Sequence, residues 1–271
     1  VNGWQRGLAA LTLVLTAVRP ASGQADSAHI RPLFTWRDAL LGGGFVIATL
    51  AIHPLDKRAE DAVQQPYRQK NQALQKAAFG LRTIAAPGAV IIGVSMYATG
   101  RVSNNDRLAS LGLHGTEALF IGEGVGAVLK GFFGRARPFV DSTPNPDDWQ
   151  LMRGFSGDKF QSFPSGHSVA GFAAAAAVTA ETSGWWPKST YIIGPAMYGG
   201  AALVGLSRMY DNRHWASDVI MGAAIGTFAG MKVVRYVNAH PGNRVDKWLL
   251  NASVSPQDLG HVRFSLVPLG R

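Results

Sequence analysis

The chain has 271 residues, 47% hydrophobic and only 16% charged, which excludes intrinsic disorder, leaves room for one core, and points to an all-α helical bundle, soluble or polytopic. It contains no Cys, so disulfides, thiolate metal centres and cysteine nucleophiles are excluded. Lys and Arg exceed Asp and Glu by 26 to 17, a formal net charge of +9 that suits anionic partners such as phosphoesters or anionic lipid.

Residues 1–25 read as an export signal or an uncleaved N-terminal anchor: Arg6, the uncharged run Gly7 to Val18, then small residues around Ala21-Ser22-Gly23. Residues 26–108 are expected to hold N-terminal helices and a charged connection. Within them, apolar stretches at 39–53 and 83–99 flank a polar stretch, 54–82, that carries Lys57, Arg58, Arg68, Lys70, Lys76 and Arg82 and reads as a solvated face. Residues 109–240 form the expected catalytic core, with apolar stretches at 109–129, 167–187, 189–206 and 215–234 and a Gly/Pro/Asp-rich connection at 131–164. Gly is 32 of 271 residues, about 12% against a usual ~7%, which favours close helix contacts, so about six Ala/Gly-rich core helices are expected. Residues 241–271 read as a polar tail with strand-like composition from Val262 to Val267.

Stretch 39–53 is shorter than the roughly 20 residues a bilayer crossing needs. Stretch 109–129 carries Glu117 and Glu123, and buried acidic groups cost roughly 2.5–3.5 kcal/mol each at the bilayer centre. The expectation is therefore an extracytoplasmic (periplasmic) bundle, soluble or membrane-associated, with an integral membrane protein as the alternative.

Three clusters bring cations, hydroxyls and imidazoles to the ends of apolar stretches. The first runs from Lys130 through Arg135 and Arg137 to Pro138; Lys130 and Arg137, seven apart, project to one side of a helical chain, or simply cap a helix C-terminus. Arg135 adds to the same field or faces solvent. The second is Ser162-Phe163-Pro164-Ser165-Gly166-His167-Ser168, where Ser165 and the free N–H groups of a first helical turn make either an anion-binding end or an ordinary cap. The third is Ser207-Arg208 followed by His214 and Asp218; four apart on a helix, the carboxylate can hold one imidazole nitrogen, for catalysis or for structure.

Together, Lys-x6-Arg-Pro, Pro-Ser-Gly-His and Ser-Arg-x5-His-x3-Asp resemble the type 2 phosphatidic acid phosphatase superfamily, which includes bacterial class A acid phosphatases and vanadium-dependent haloperoxidases. The resemblance covers residues 130–218 by motif and about 109–236 by helix layout. It implies a metal-independent phosphatase acting on a phosphomonoester or pyrophosphate, lipid or soluble, through a phosphohistidine. Lys130, Arg137, Ser165, Gly166 and Arg208 then bind phosphate. His214 is the nucleophile, Asp218 fixes its tautomer, and His167 serves as general acid and then base. No cofactor and no metal are implied; vanadate enters as an inhibitor, or as cofactor if the chain is a haloperoxidase. A non-enzymatic membrane bundle with an anion site is a third reading.

Three cations around one anion are expected to keep His214 neutral, whereas His167 must be protonated, with an optimum from mildly acidic to neutral. The partners are a phosphorylated substrate and a membrane surface. Nucleic acid is not expected, because the cations are scattered and no zinc-finger, helix-turn-helix or RNP signature occurs. Gly122-Glu123-Gly124-Val125-Gly126-Ala127 matches a loose dinucleotide fingerprint but has no strand before it. His29, His53, His114, His240 and His261 lack partners at ligand spacing and read as surface or packing residues.

Overall fold

The computed structural model describes residues 32–250 and the backbone of two strands, Ala252–Gln257 and His261–Leu266. The expected export signal lies outside the described residues. Thr35 opens helix α1 (Trp36–Ile52), its N–H and hydroxyl donating to Asp38 at 2.6 and 2.8 Å. A single 3-10 turn through Pro54 carries the chain into α2 (Asp56–Val63), and short α3 (Pro66–Gln69) restarts at a proline, where the missing N–H costs no helical bond. Asn71 caps α4 (Gln72–Thr83); Pro87 then interrupts the ladder before α5 (Ala89–Val102).

Four long helices follow. Asn105 caps α6 (Asp106–Phe133), which ends at Gly134 with φ +56; a side chain there would collide with the Gln150 carbonyl. Helices α7 (Gly166–Trp185), α8 (Thr190–Tyr210) and α9 (Ala216–Ala239) complete the bundle. The tail holds α10 (Arg244–Leu249) and an antiparallel hairpin, β1 (Ala252–Gln257) with β2 (His261–Leu266), Val254 facing Phe264 in register. The fold is all-α apart from that hairpin, and the six apolar stretches are largely helical, with 83–99 broken at Pro87 between α4 and α5.

The glycine excess is used chiefly where α7 meets α9. A Cβ at Gly222 would lie 2.5 Å from the Ser165 carbonyl and one at Gly230 2.6 Å from the Ala173 carbonyl, while one at Gly226 would overlap Val169. Spaced four apart, these residues line one face and let backbone approach backbone. Two cores flank the seam: Phe45, Phe172, Tyr198 and Ala224 on one side, Leu119, Ala170, Ala177 and Val233 on the other. The close approach brings the N-termini of α7 and α9 side by side, so that the Ser165 N–H donates to the Asp218 backbone carbonyl at 3.0 Å.

Two expectations need correction. The stretch 54–82 is not simply a solvated face, since Asp56 and Glu60 are buried. Stretch 39–53 is not an isolated short segment either: it belongs to a helical unit, Trp36–Val63, of 28 residues. That unit, Gln72–Val102 and Ala216–Ala239 are long and apolar enough to cross a membrane, and the apolar windows of the first two are only 17% buried. Trp36, Ile47, Leu50, Ile91, Phe120 and Ile192 are all at least half exposed. A water-soluble monomer rarely leaves so much apolar surface open, so the bundle associates with a membrane, the membrane-associated one of the two readings expected from the sequence.

The seam gives a direct stability test. Gly226→Ala should lower the melting temperature in detergent by several degrees, the consequence of about 1–3 kcal/mol of overpacking against rigid backbone. Gly199→Ala, on a helix face with nothing within 4 Å of the new methyl, should leave it unchanged or raise it. Equal melting temperatures for the two variants would contradict the packing argument.

Candidate active site

One end of the bundle collects every residue singled out in the three motifs. Lys130 lies in the last turn of α6 and Arg208 in that of α8; Ser165 caps α7, Gly166 and His167 open it, and Asp218 sits in the first turn of α9 with His214 just before it. Arg137 follows the Gly134 turn. Two helix N-termini and three cations thus face the same space, a strongly positive setting for an anion.

The deepest part is ionic and was not legible. Arg135, fully buried, donates from Nη1 to Ser217 Oγ at 2.8 Å and Asp218 Oδ1 at 2.6 Å, and from Nη2 to Asp56 Oδ2 at 2.7 Å. Its Nε and Nη2 also reach the Pro146 carbonyl, at 2.9 and 2.7 Å, and its guanidinium lies over Trp149 and Trp215. Asp56 in turn accepts from the Ser217 N–H at 2.9 Å and hydroxyl at 2.5 Å. Burying a guanidinium is tolerable only with its donors matched, and here all its nitrogens are. Arg135 could be read as one more charge in the positive field or as a solvent-facing one, and nothing in the sequence links it to Asp56, 79 residues away.

His214 corrects the expected role of Asp218. The imidazole Nδ1 lies 2.7 Å from the Ser162 backbone carbonyl and 3.8 Å from Asp218 Oδ2. A carbonyl can only accept, so Nδ1 carries the proton and Nε2 of the neutral ring keeps its lone pair. Asp218 acts one step back: Oδ2 accepts from the Ser162 hydroxyl at 2.5 Å and the Trp215 N–H at 2.8 Å, while the Ser162 N–H donates to the Arg135 carbonyl at 3.0 Å. Ser162 is therefore the residue that holds the ring, and Asp218 and Arg135 hold Ser162.

The three cations are partly engaged. Lys130 Nζ donates to the Pro164 carbonyl at 2.6 Å, Arg137 reaches Asp158 by Nε to the carbonyl at 2.8 Å and by Nη2 to the carboxylate at 2.7 Å, and Arg208 Nη1 reaches Asp211 Oδ2 at 2.6 Å. The Nε of Arg208 is buried without a hydrogen-bond partner. A side chain begun at Gly166 would meet Lys130 Nζ and Glu123 Oε2, each at 3.1 Å, so Glu123 belongs to this end. Ser165, fully buried, accepts from the Ser168 N–H and hydroxyl at 3.5 and 3.0 Å and keeps its own proton to donate.

Burial and the neighbouring charges set the protonation of the site. Burial, then Arg208, His214, Lys130 and Arg137, push His167 down to about 3; burial, with Arg137 and Lys130 and against the pull of Asp218, pushes His214 down to about 4. Burial lowers Lys130 to about 8, so it stays charged at neutral pH. His214 is neutral as expected, but so is His167, because the same cations act on both. A second correction concerns His114, which is not unpartnered: it pairs with Glu181 through Nδ1 and with Asp246 through Nε2 at 3.4 Å, near the opposite end of α6 and α7.

Residues 111–241 match the family model described as PAP2 superfamily. The lipid A 1-phosphatase of Porphyromonas gingivalis is 31% identical over 115 residues, which make up 41% of this chain and 22% of that protein, so the match spans about a fifth of the relative's length. The fold is similar to the crystal structure of the first transmembrane PAP2 type phosphatidylglycerolphosphate phosphatase from Bacillus subtilis, with a TM-score of 0.53 and 21% identity over 78% of this chain and 99% of that one. The Aquifex aeolicus LpxE structure aligns with a TM-score of 0.49 and 19% identity over 67% of this chain and 96% of that one. The matched segment takes in most of α6 and all of α7, α8 and α9, the four long helices whose ends carry the cations and imidazoles, and it is this part of the chain that is similar to the PAP2 superfamily.

Proposed function

We propose that the chain is a phosphatase that hydrolyses a phosphomonoester or pyrophosphate, with a lipid phosphate as the preferred class, through a phosphohistidine on His214. The observation that carries this reading is the His214 ring held by Nδ1–H on the Ser162 carbonyl, with Nε2 unprotonated beside three cations. Lys130, Arg137 and Arg208 bind the phosphoryl oxygens, and Ser165 and the Gly166 N–H complete the cradle. Nε2 attacks phosphorus as the bond to the leaving oxygen breaks, and His167 gives that oxygen its proton. Water then attacks the phosphohistidine, His167 takes a proton from it, the P–N bond breaks, and neutral His214 is restored. Asp218 supports the positive ring through Ser162.

The lipid preference is supported by the exposed apolar helices and by the relative named as a lipid A 1-phosphatase. The site is proposed to act on the extracytoplasmic side, a reading supported by the signal-like first 25 residues. The reaction as written uses no metal, and vanadate is read as an inhibitor.

His214→Ala should lower phosphate release at least about 10⁴-fold with an unchanged melting curve, and turnover near that of the wild type would remove His214 from the reaction. Activity should survive EDTA and be blocked by orthovanadate, which can take the pentacoordinate geometry of the transition state. Loss on EDTA treatment with recovery on adding divalent ions would indicate metal-assisted hydrolysis, and vanadate-dependent bromide oxidation would favour the haloperoxidase reading.

The pH dependence follows from both imidazoles being neutral in the free site. Below about 4 His214 takes up a proton and loses its nucleophilic lone pair. His167 needs a proton that the free site does not give it, and a phosphomonoester monoanion brings one, up to its second ionisation near pH ~6. The profile of kcat/KM should therefore be flat between about 4 and 6 and fall tenfold per pH unit above. A rise through pH 7 would contradict the protonation states assigned.

A further inference from the structure

Asp56 is a buried carboxylate at the catalytic end that the reaction as written does not use. It opens α2 just after the 3-10 turn through Pro54, it is fully buried, and its carboxylate bonds two residues only. Oδ1 accepts from the Ser217 N–H at 2.9 Å, and Oδ2 accepts from the Ser217 hydroxyl at 2.5 Å and from Arg135 Nη2 at 2.7 Å. Three donors and no acceptor meet it, the setting of an ionised carboxylate. The Ser217 N–H is one of the otherwise unpaired groups at the positive start of α9, so Asp56 caps that helix from another part of the chain.

Asp218 takes the other arm of the same guanidinium, accepting from Arg135 Nη1 at 2.6 Å. Among the described residues Arg135 is the only Lys or Arg that bonds either carboxylate, so two negative charges share one positive charge. Pairing alone needs one carboxylate. A buried excess charge is costly unless something balances it, and the partial charge at the start of α9 does so only in part. The rest of the balance arises at His214 during the reaction. When Nε2 bonds phosphorus while Nδ1 keeps its proton, the ring gains a positive charge, 3.8 Å from Asp218 Oδ2.

Resting on the phosphatase reading above, we propose that Asp56 is a positioning residue of the reaction: through Arg135 and Ser217 it keeps one negative charge in excess behind His214, and that charge stabilises the ring as it becomes positive. Asp56 touches neither substrate nor imidazole. The charged and titratable groups that face His214 are Asp218 from α9, Lys130 from α6, Arg137 just after it and His167 from α7, and Asp218 is the one anion among them. Without Asp56, the Arg135 guanidinium would cancel that anion. Asp56 lies outside residues 111–241, so a segment beyond the family match takes part in catalysis by this route.

The test uses the full chain in detergent micelles with nitrophenyl phosphate and a short-chain phosphatidic acid. Asp56→Asn keeps the shape of the side chain and removes its charge. It should lower kcat about tenfold or more with KM nearly unchanged, because the cations that bind the phosphoryl group are untouched. Loss of a negative charge behind the ring disfavours its protonated form, so the acid limb of kcat/KM should also move about half a pH unit or more to lower pH. The position of that limb does not depend on how much of the chain is folded. A lower melting temperature with the limb in place would make Asp56 a purely structural residue and overturn the proposal, leaving the phosphatase reading standing. If Asp56→Asn does not fold, Ser217→Ala decides: it removes only the hydroxyl shared by Arg135 and Asp56 and should lower kcat about threefold or more at unchanged KM, whereas an unchanged kcat would overturn the proposal. Absence of phosphate release from both substrates by the wild type would instead overturn the phosphatase reading, and the role of Asp56 with it.

Discussion

The Arg135 guanidinium, fully buried between Asp56 and Asp218, is the interaction on which the catalytic end is built. Transfer of such a group out of water is costly, and removing one partner of a buried ion pair costs about 3–5 kcal/mol. The need to match every donor fixes several pieces of chain at once. Asp56 brings in the start of α2, Pro146 the long connection, and Ser217 with Asp218 the start of α9. Through the Arg135 carbonyl and the Asp218 carboxylate the same group fixes Ser162, and through the Ser162 carbonyl it fixes the ring of His214. The ring of His214, the proposed nucleophile, is thus positioned by a chain of bonds of which one member, Asp56, lies outside the segment matched by the family model.

Helix packing supplies the frame for this network. The small residues along α9 let it press against the backbone of α7, and the two N-termini arrive side by side with Ser165 bonded to the backbone of Asp218. Each N-terminus adds unpaired N–H groups and a partial positive charge to a space that already holds Lys130, Arg137 and Arg208. Repulsion among these cations is contained by Asp158, Asp211 and Glu123, carboxylates set around the pocket. The free site is consequently poised for an anion, with both imidazoles neutral.

The legible part of the site is the part where chemistry constrains residue type at a helix boundary. A phosphoester dianion needs several cations, a nucleophile and a proton donor, and Lys130, Arg137, His167, Arg208 and His214 stand at the ends of apolar stretches that are plain in the sequence. The six helices were legible for the same reason, since apolar runs of that length leave little choice. What was hidden depends on pairings at long separation. Asp56 reads as one more charge in a polar stretch, and Arg135 as a cation that adds to the positive field or faces solvent. His114 is joined to partners 67 and 132 residues away, which no local spacing reveals. Spacing did place Asp218 beside His214, but it could not show that the nearer acceptor is a backbone carbonyl. Whether the bundle is soluble or membrane-associated was open in the sequence for a related reason: composition reports how apolar a helix is, and only packing reports how much of it remains uncovered.

The central claim is that His214 is held by Nδ1 and reacts through Nε2. Rapid quench of the wild-type chain during turnover of a ³²P-labelled substrate, under alkaline conditions that preserve phosphohistidine, followed by peptide mapping and chromatographic separation of the two isomers, tests it most directly. The account predicts label on His214 as the Nε2-phosphorylated isomer. Label on Nδ1, or on a residue other than His214, would contradict it.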